Sequence, residues 1–220
     1  MTFDLAPLTI SLNTATIATL ITLVLGAFTA YLMAGYSGPG KHLMDGILTL
    51  PLVLPPTVVG YFLLLMLGKN GPVGKVLAQL GIVVVFSWPA AVIAAVVVSF
   101  PLMYKTILNS LEQIDRSVIE ASYTLGATGW QIFRWVTLPL AWPGVITGTM
   151  MAFARALGEF GATMMVAGNI PGRTQTMPLA IFFAAETGDM LTALAWVGMI
   201  SLLSLTVIYS LNLVQREALM

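Results

Sequence analysis

A charged pair inside apolar sequence is the first candidate for chemistry. Arg155 and Glu159 lie four residues apart in an apolar stretch, where each charge costs about 2.5–3.5 kcal/mol on insertion scales. At this spacing the two side chains can pair on one face of a helix. Two interpretations follow. The pair is a neutralised packing element, or it lines or gates a pathway in which Arg155 attracts a passing anion.

Other reactive side chains are scarce. The sequence has no cysteine and one histidine, His42, which excludes thiolate chemistry and a histidine-rich metal site. Residues 68–76 superficially match a phosphate-binding loop, but Lys69 replaces its first glycine and Val76 its final Ser or Thr. We therefore expect no catalytic residue, cofactor or metal in this chain, and no ATP hydrolysis by it.

The composition is that of a membrane protein. Of 220 residues, 58% are hydrophobic and 8% are charged, whereas a soluble domain carries roughly 25% charged residues. The mean hydropathy is +0.95. Nine basic residues balance nine acidic ones, so no surplus charge attracts nucleic acid.

Hydropathy predicts an all-α polytopic transmembrane bundle of about five spans, because a span needs roughly 20 apolar residues. The predicted spans cover residues 10–34, 47–67, 83–104, 140–166 and 191–213. A short amphipathic helix at 72–80 is expected on the outer surface, with a sixth partial span as the alternative. Residues 1–220 show no repeat or linker, which predicts a single domain. Since five spans hardly enclose a polar path, we expect an oligomer.

The basic residues predict the topology. If the connection between the third and fourth spans is cytoplasmic, the inner set is Lys41, Lys105, Arg116, Arg134 and Arg216. The outer set is Lys69, Lys75 and Arg173. This excess of positive charge inside places the N-terminus outside and the C-terminus in the cytoplasm.

Three prolines interrupt the second predicted span. Pro51, Pro55 and Pro56 each remove a backbone donor, so the freed carbonyls need partners in protein or in a water-filled path. Thr49 and Thr57 offer hydroxyls nearby. The interruption is either a packing kink or part of a transport pathway, where such breaks recur.

The fourth predicted span has a stripe of small residues. On a continuous helix, one arc of about 80° holds Gly144, Gly148, Ala152, Arg155, Glu159 and Ala162. Small residues at this spacing permit close helix approach, so both charges are expected to face protein.

The polar stretch 109–138 contains helix-capping signals. Ser117 and Glu120 fit a capping box, which predicts a helix that runs to Leu125 and ends at Gly126 in a left-handed conformation. Glu120 is thus interpreted as a structural cap.

A second capping box follows at Thr128 and Gln131 and predicts another short helix that stops before Pro139. Isolated helices this short are marginal in water. Something must therefore pack on them, either a partner protein or lipid headgroups.

This loop resembles the EAA loop of ABC importer permeases, whose pattern is EAA, three residues, Gly, nine residues and Ile-x-Leu-Pro. The matching residues are Glu120, Ala121, Ser122, Gly126, Val136, Leu138 and Pro139. Ser122 replaces the second alanine and Val136 the isoleucine. The resemblance implies a coupling helix that docks on a cytoplasmic ATP-binding subunit.

Residues 50–61, 153–163 and 168–176 also resemble segments of molybdate permeases, and sulfate permeases share parts of each. The resemblance implies a type I importer permease fold in a bacterial inner membrane. It also implies a homodimer with two ABC ATPase subunits that bind ATP-Mg, and an extracytoplasmic molybdate-binding protein. Pro55, Pro56, Thr57, Arg155 and Glu159 are then candidates for the pathway or its gate.

The outer segment 168–189 faces the binding protein in that family. Candidate docking contacts are Arg173, Glu186 and Asp189, although a solvated loop with incidental charges is an equal alternative. Thr176 is predicted to cap a short helix at 178–185.

Other functions stay open. The cargo is alternatively tungstate, sulfate, thiosulfate or phosphate. A rival class, a self-powered secondary transporter or a membrane-embedded enzyme, is disfavoured because the sequence shows no paired discontinuous helices.

Overall fold

The computed structural model describes residues 4–217, which form eleven α-helices and no strand within that range. The helices are α1 (Ala6–Gly35), α2 (Lys41–Val53), α3 (Pro56–Leu67), α4 (Pro72–Gln79), α5 (Trp88–Glu112), α6 (Arg116–Thr124), α7 (Gly129–Ile132), α8 (Leu138–Leu157), α9 (Gly161–Ala167), α10 (Met177–Glu186) and α11 (Met190–Glu217). A π-helical turn, Phe133–Thr137, joins α7 to α8.

Five membrane crossings are consistent with the described residues. Four helices are long and apolar enough to span: α1, α5, the continuous Gly129–Leu157 helix and Met190–Ser210 of α11. The pair α2–α3 gives a fifth if it is counted as one broken span, since its two helices are bent by 111°. The prediction of an all-α bundle of about five spans is confirmed. The third span is shifted toward the C-terminus, since α5 covers Trp88–Glu112 and the prediction was 83–104. Residues 109–112 therefore belong to α5 rather than to the polar loop.

Helix α5 is the centre of the bundle, packed between α1 and α8. In the first half of α5 the side toward the other helices is built mainly from small residues, and Ala90, Ala91, Ala94 and Ala95 are fully buried. Gly26 of α1 has the same role, since a Cβ there would lie 2.8 Å from Cγ of Met103. Small residues let the backbones approach closely, which is the main source of helix association in lipid.

Helix α10 is capped from a distant part of the chain. Thr176 occupies its N-cap position, as predicted, but the Thr176 hydroxyl makes no capping hydrogen bond. Instead, the backbone N–H of Met177 donates to Oγ of Ser11 on α1 at 2.7 Å. The cap therefore comes from tertiary packing, and the prediction that Thr176 supplies it is wrong.

The helix that opens at the second capping box does not stop before Pro139. It continues through the π turn into α8, and Pro139 lies in the first turn of α8. The N–H of Leu138 bonds to the carbonyl of Phe133, five residues earlier. This wider turn accommodates the missing N–H and the ring of proline, which a regular α-helical turn does not.

The predicted fourth span is not one helix. Helix α8 ends at Leu157, and α9 begins at Gly161 after three non-helical residues. The predicted arc that places Glu159 and Ala162 in line with Gly144 is therefore wrong. The short helix predicted at 72–80 is present as α4, and it is mostly exposed.

Candidate functional site

The first helix break lies at the prolines of the second span. Helix α2 ends at Val53, and Pro55 is the extended N-cap of α3, which begins with Pro56. Proline suits the first turn of a helix because its fixed φ is helical and its missing N–H would be unpaired there. Pro55, Pro56 and Thr57 are all exposed in the single chain. By contrast, Thr49 donates its hydroxyl to the carbonyl of Asp45 at 2.7 Å within α2.

The second break is held by the Arg155–Glu159 pair. Nη1 of Arg155, in the last turn of α8, lies 2.8 Å from Oε2 of Glu159. Oε1 of Glu159 accepts a hydrogen bond of 2.7 Å from the backbone N–H of Ala162, in the first turn of α9. A cation at a helix C-terminus and a carboxylate at an N-terminus are both favoured by the helix dipoles.

Burial differs across this pair. The Glu159 side chain is 1% exposed and that of Arg155 is 29% exposed. Because a buried carboxylate must be paired, Glu159 is held by both of its oxygens, while part of Arg155 remains accessible. The pair thus connects two helices of the same chain across a gap.

The two breaks meet. Helix α3 packs on α9, and a Cβ on Gly60 would lie 2.8 Å from Cα of Ala162. A Cβ on Gly161 would lie 3.1 Å from Cβ of Pro56 and 3.2 Å from the backbone nitrogen of Thr57. The structure therefore brings Pro56 and Thr57 next to the start of α9. The bundle contains paired discontinuous helices, and the prediction that it has none is wrong.

A polar cluster that the sequence analysis missed anchors α2 to α5. Asp45 lies 2.6 Å from Nζ of Lys105, and Oδ1 of Asp45 accepts a 2.9 Å hydrogen bond from the hydroxyl of Tyr104. Lys41 pairs with Glu112 at 3.2 Å. No residue of α2 within Lys41–Val53 is buried, so these contacts fix its position. The sequence did contain a signal for this contact. Asp45 lies just before the second predicted span and Lys105 just after the third, so opposite charges stand at span ends that meet on the same side of the membrane.

The capping of α6 differs from the prediction. The N-cap is Asp115, whose Oδ1 accepts the N–H of Ser117 at 2.8 Å. Ser117 lies inside the first turn and caps nothing there. This hydrogen bond lowers the pKa of Asp115 below its usual value. Glu120 is exposed and its carboxylate has no hydrogen-bond partner among residues 4–217, so the interpretation of Glu120 as a cap is wrong.

The C-terminal end of α6 agrees with the prediction. Gly126 has φ of +81°, which favours glycine. The N–H of Gly126 bonds to the carbonyl of Tyr123 and that of Ala127 to the carbonyl of Ser122, which is the Schellman arrangement. The second capping box is present, with the N–H of Thr128 donating to Oε1 of Gln131 at 2.7 Å.

Helix α6 presents an uncovered surface. Ala121 is exposed, Ser122 is half-buried and bonds to its own helix, and Leu125 is 88% exposed. Leu138 and Pro139 lie apart from this surface, in the first turn of α8. Val118, on the same face as Leu125, is 42% exposed, and exposed apolar side chains grouped on one helix face are typical of a contact for another protein.

The three candidate contacts of the outer segment are all exposed, but they do not line one common groove. Asp189 lines an open groove of about 700 Å³ between α10, α11 and the start of α1. Arg173 and Glu186 do not line it. Asp189 caps α11 by accepting the N–H of Thr192 at 3.2 Å, and hydrogen bonds from the Thr192 hydroxyl and N–H lower its pKa. Asp189 thus has a structural role of its own.

Metal ligands are not gathered anywhere in the part of the chain that the structure describes. Within residues 4–217, no group of three or more His, Asp or Glu side chains is placed to hold an ion. The side chain of Arg216, counted in the predicted topology, lies outside the described side chains.

Comparison with known proteins gives a consistent result. Residues 10–218 match the family model of the binding-protein-dependent transport system inner membrane component. The molybdenum transport system permease protein ModB of Escherichia coli K12 is 49% identical over 179 residues, 81% of this chain and 78% of that protein. The sulfate transport system permease protein CysT of Salmonella typhimurium is 36% identical over 208 residues, 94% of this chain and 75% of that protein.

The fold is also found among solved structures. A crystal structure of a bacterial ABC transporter involved in the import of the acidic polysaccharide alginate matches with a TM-score of 0.79 at 16% identity. The match covers 98% of this chain and 80% of that one. At this identity the likeness concerns the fold, which is that of an ABC importer permease.

Proposed function

Because this chain belongs to the family of binding-protein-dependent transport system inner membrane components, we propose that it is the inner-membrane permease of an ATP-driven molybdate importer. The chain is a transport component, and ATP is hydrolysed in partner subunits rather than in it. Molybdate is favoured over sulfate because identity to the molybdenum permease is 49% and to the sulfate permease 36%. Tungstate is the second candidate cargo, since it is an oxyanion of the same shape and charge.

Two copies of the chain form the translocation pathway between them. The exposed first break supports this, since Pro55, Pro56 and Thr57 lie on a surface that one chain leaves uncovered. Freed backbone groups at such a break need protein or water around them. Arg155 and Glu159 lie behind that surface at the second break, where the partly accessible guanidinium can attract an anion. These five residues are the pathway or gate candidates.

Helix α6 transmits movement from two cytoplasmic ABC ATPase subunits, which bind ATP-Mg. The observation that carries this role is the exposed, doubly capped α6 with Leu125 at its end. Glu120, Ala121 and Ser122 lie in this coupling helix and Gly126 ends it. Leu138 and Pro139 begin α8, which the π turn joins to α7. A helix held at both ends moves as a unit, so a push on α6 reaches the bundle.

The opposite end of the bundle faces an extracytoplasmic binding protein that delivers the anion. The excess of basic residues on the α6 side supports this topology, with the N-terminus outside and the C-terminus in the cytoplasm. Arg173, Glu186 and Asp189 are exposed there and are the candidate contacts. Membrane lipid surrounds the remaining surface.

The coupling role is tested at Gly126. A β-branched residue is strained at φ of +81°, at a cost of about 1–3 kcal/mol, so Gly126→Val should distort the end of α6. We expect insertion to be normal and ATP hydrolysis to be uncoupled from uptake in reconstituted vesicles. Gly126→Asn is the matched control, because asparagine tolerates this conformation. Normal uptake by Gly126→Val would contradict the assignment.

The cargo is tested by competition. The complex reconstituted with its binding protein should take up labelled molybdate, and unlabelled tungstate should compete more strongly than sulfate. Equal competition by sulfate would contradict the assignment to molybdate while leaving the coupling role intact.

A further inference from the structure

An open apolar cavity lies between α1, α5 and the helix that runs from α7 into α8. Its volume is about 460 Å³, and its walls include Phe28, Tyr31, Ile107, Leu111, Trp130 and Phe133. Three of these rings are in contact: Tyr31 meets Phe133 edge-on at 5.2 Å between centroids, and Trp130 lies 5.6 Å from Phe133. The cavity is at the end of the bundle that carries α6.

This apolar cavity continues into a polar one. The second cavity, of about 760 Å³, shares Tyr31, Leu111 and Thr137 with the first and reaches the start of α6. Lys41, Glu112 and Arg116 line it.

The charges of the polar cavity do not cancel. Lys41 and Glu112 pair with each other at 3.2 Å, and Arg116 has no hydrogen-bond or ion-pair partner among residues 4–217. One uncompensated guanidinium therefore lies where the apolar wall ends. The combined site is apolar at one end and cationic at the other.

We propose that the two cavities form one binding site for an anionic phospholipid. The acyl chain lies in the aromatic cavity and the phosphate contacts Arg116. An acyl chain packs against the aromatic surface that this chain leaves uncovered and supplies the van der Waals contacts that an open cavity lacks. Basic pockets between transmembrane helices on the cytoplasmic side bind anionic headgroups. An amphiphile with a negative head fits this distribution of charge, whereas an apolar partner helix leaves Arg116 unpaired.

The site connects the coupling helix to the bundle. Arg116 and Ile119 of α6, Tyr31 of α1 and Leu111 of α5 all line the polar cavity. A lipid bound there contacts all three helices at once, so it stiffens the route from α6 into the bundle. The assignment of this lipid to the cytoplasmic leaflet rests on the proposed topology. The binding site itself is independent of that topology.

Native mass spectrometry of the full-length protein, purified from membranes with its bound subunits, tests the proposal. Phosphatidylglycerol should saturate at one molecule per permease chain and bind at least fivefold more tightly than phosphatidylcholine. Arg116→Gln should weaken phosphatidylglycerol binding about fivefold, the effect of one basic residue near an anionic surface. Phosphatidylcholine binding should fall less, because the choline ammonium of that lipid already offsets the charge of its phosphate. Lys75→Gln, at an exposed cationic residue outside both cavities, is the matched control and should change neither.

A second variant tests the acyl chain. Ala27 lines the apolar cavity, so Ala27→Phe should weaken the binding of both lipids while the thermal unfolding midpoint stays within a few degrees. Equal binding of the two lipids, or unchanged phosphatidylglycerol binding in Arg116→Gln or Ala27→Phe, would overturn the proposal. Because lipid binding is measured without transport, a failure of molybdate uptake in the parent protein would count against the proposed function alone.

Discussion

The two helix breaks lie side by side but are made differently. At the α2–α3 break, prolines interrupt the backbone and the residues around the bend are exposed. At the α8–α9 break, residues 158–160 contain no proline, and a buried carboxylate holds the two helix ends together. The first break is a property of the local sequence, while the second depends on interactions that exist only in the folded chain.

This difference assigns different mechanical roles to the two breaks. Removing a proline leaves the packing of α3 on α9 in place, so the first break tolerates change at its own residues. Removing Glu159 leaves Arg155 without its partner and the N–H of Ala162 without its acceptor. The second break should therefore be the more sensitive of the two.

The largest effect is expected for Glu159→Ala. Breaking a buried ion pair from one side costs about 3–5 kcal/mol, and the partial exposure of Arg155 places this case near 3 kcal/mol. Unfolding in detergent should show this loss, and assembly or uptake should fall while the order of anion preference is unchanged.

Glu159→Gln, which keeps an acceptor for the N–H of Ala162, should lose less stability than Glu159→Ala. The exposed control Glu186→Gln should stay within about 0.5 kcal/mol. A switch of anion preference in Glu159→Ala would show that this residue selects the cargo.

The contact between the two breaks gives the next largest effect. A methyl group on Gly60 would lie 2.8 Å from Cα of Ala162, and backbone cannot move aside cheaply, so Gly60→Ala should cost about 1–3 kcal/mol. A methyl group on Gly46 of α2 would meet no neighbouring atom of the described chain within 4 Å. Gly46→Ala should therefore stabilise by about 0.5–1 kcal/mol, as glycine removal does inside a helix. Unfolding midpoints that move in the same direction for both variants would contradict close α3–α9 packing.

Local signals in the sequence account for much of the architecture. Runs of apolar residues predict the five crossings, Pro55 and Pro56 predict the first break, and Gly126 and the Thr128–Gln131 box predict the end of α6 and the start of α7. Each of these features depends on the chemistry of a few neighbouring residues. For this reason they can be identified without knowledge of the fold.

The features that the sequence analysis missed depend on distant partners. Ser11 caps α10 although 166 positions separate it from Met177, and Asp45 reaches Lys105 across 60 positions. The α8–α9 break has only a weak local signal, the glycines at positions 158 and 161, because apolar residues continue on both sides. At α6, Asp115 and Ser117 are both good capping residues, and only the backbone conformation decides that Asp115 is the cap.

A smaller effect is expected at the anchor of α2. Asp45→Asn removes the ion pair with Lys105 but keeps an oxygen for the hydroxyl of Tyr104. Because both ionic side chains are partly exposed, the loss should be about 1 kcal/mol. A double-mutant cycle with Lys105→Gln measures the pair directly. A coupling energy as large as the effect of Glu159→Ala would show that α2 is held as firmly as the second break.

The smallest effect is expected at the proline break itself. Pro55→Ala should cost about 0.4–1 kcal/mol, mainly because the unfolded chain becomes more flexible, and the 111° bend should remain since α3 stays packed on α9. The chain has no cysteine, so Leu43→Cys on α2 and Met66→Cys on α3 introduce unique sites for spin labels. The distance between the labels should be the same with and without Pro55→Ala.

A longer distance would mean that α2 and α3 straighten once the proline is removed. The bend would then be imposed by Pro55 against the packing, and the first break, rather than the second, would be the one that depends on a single residue.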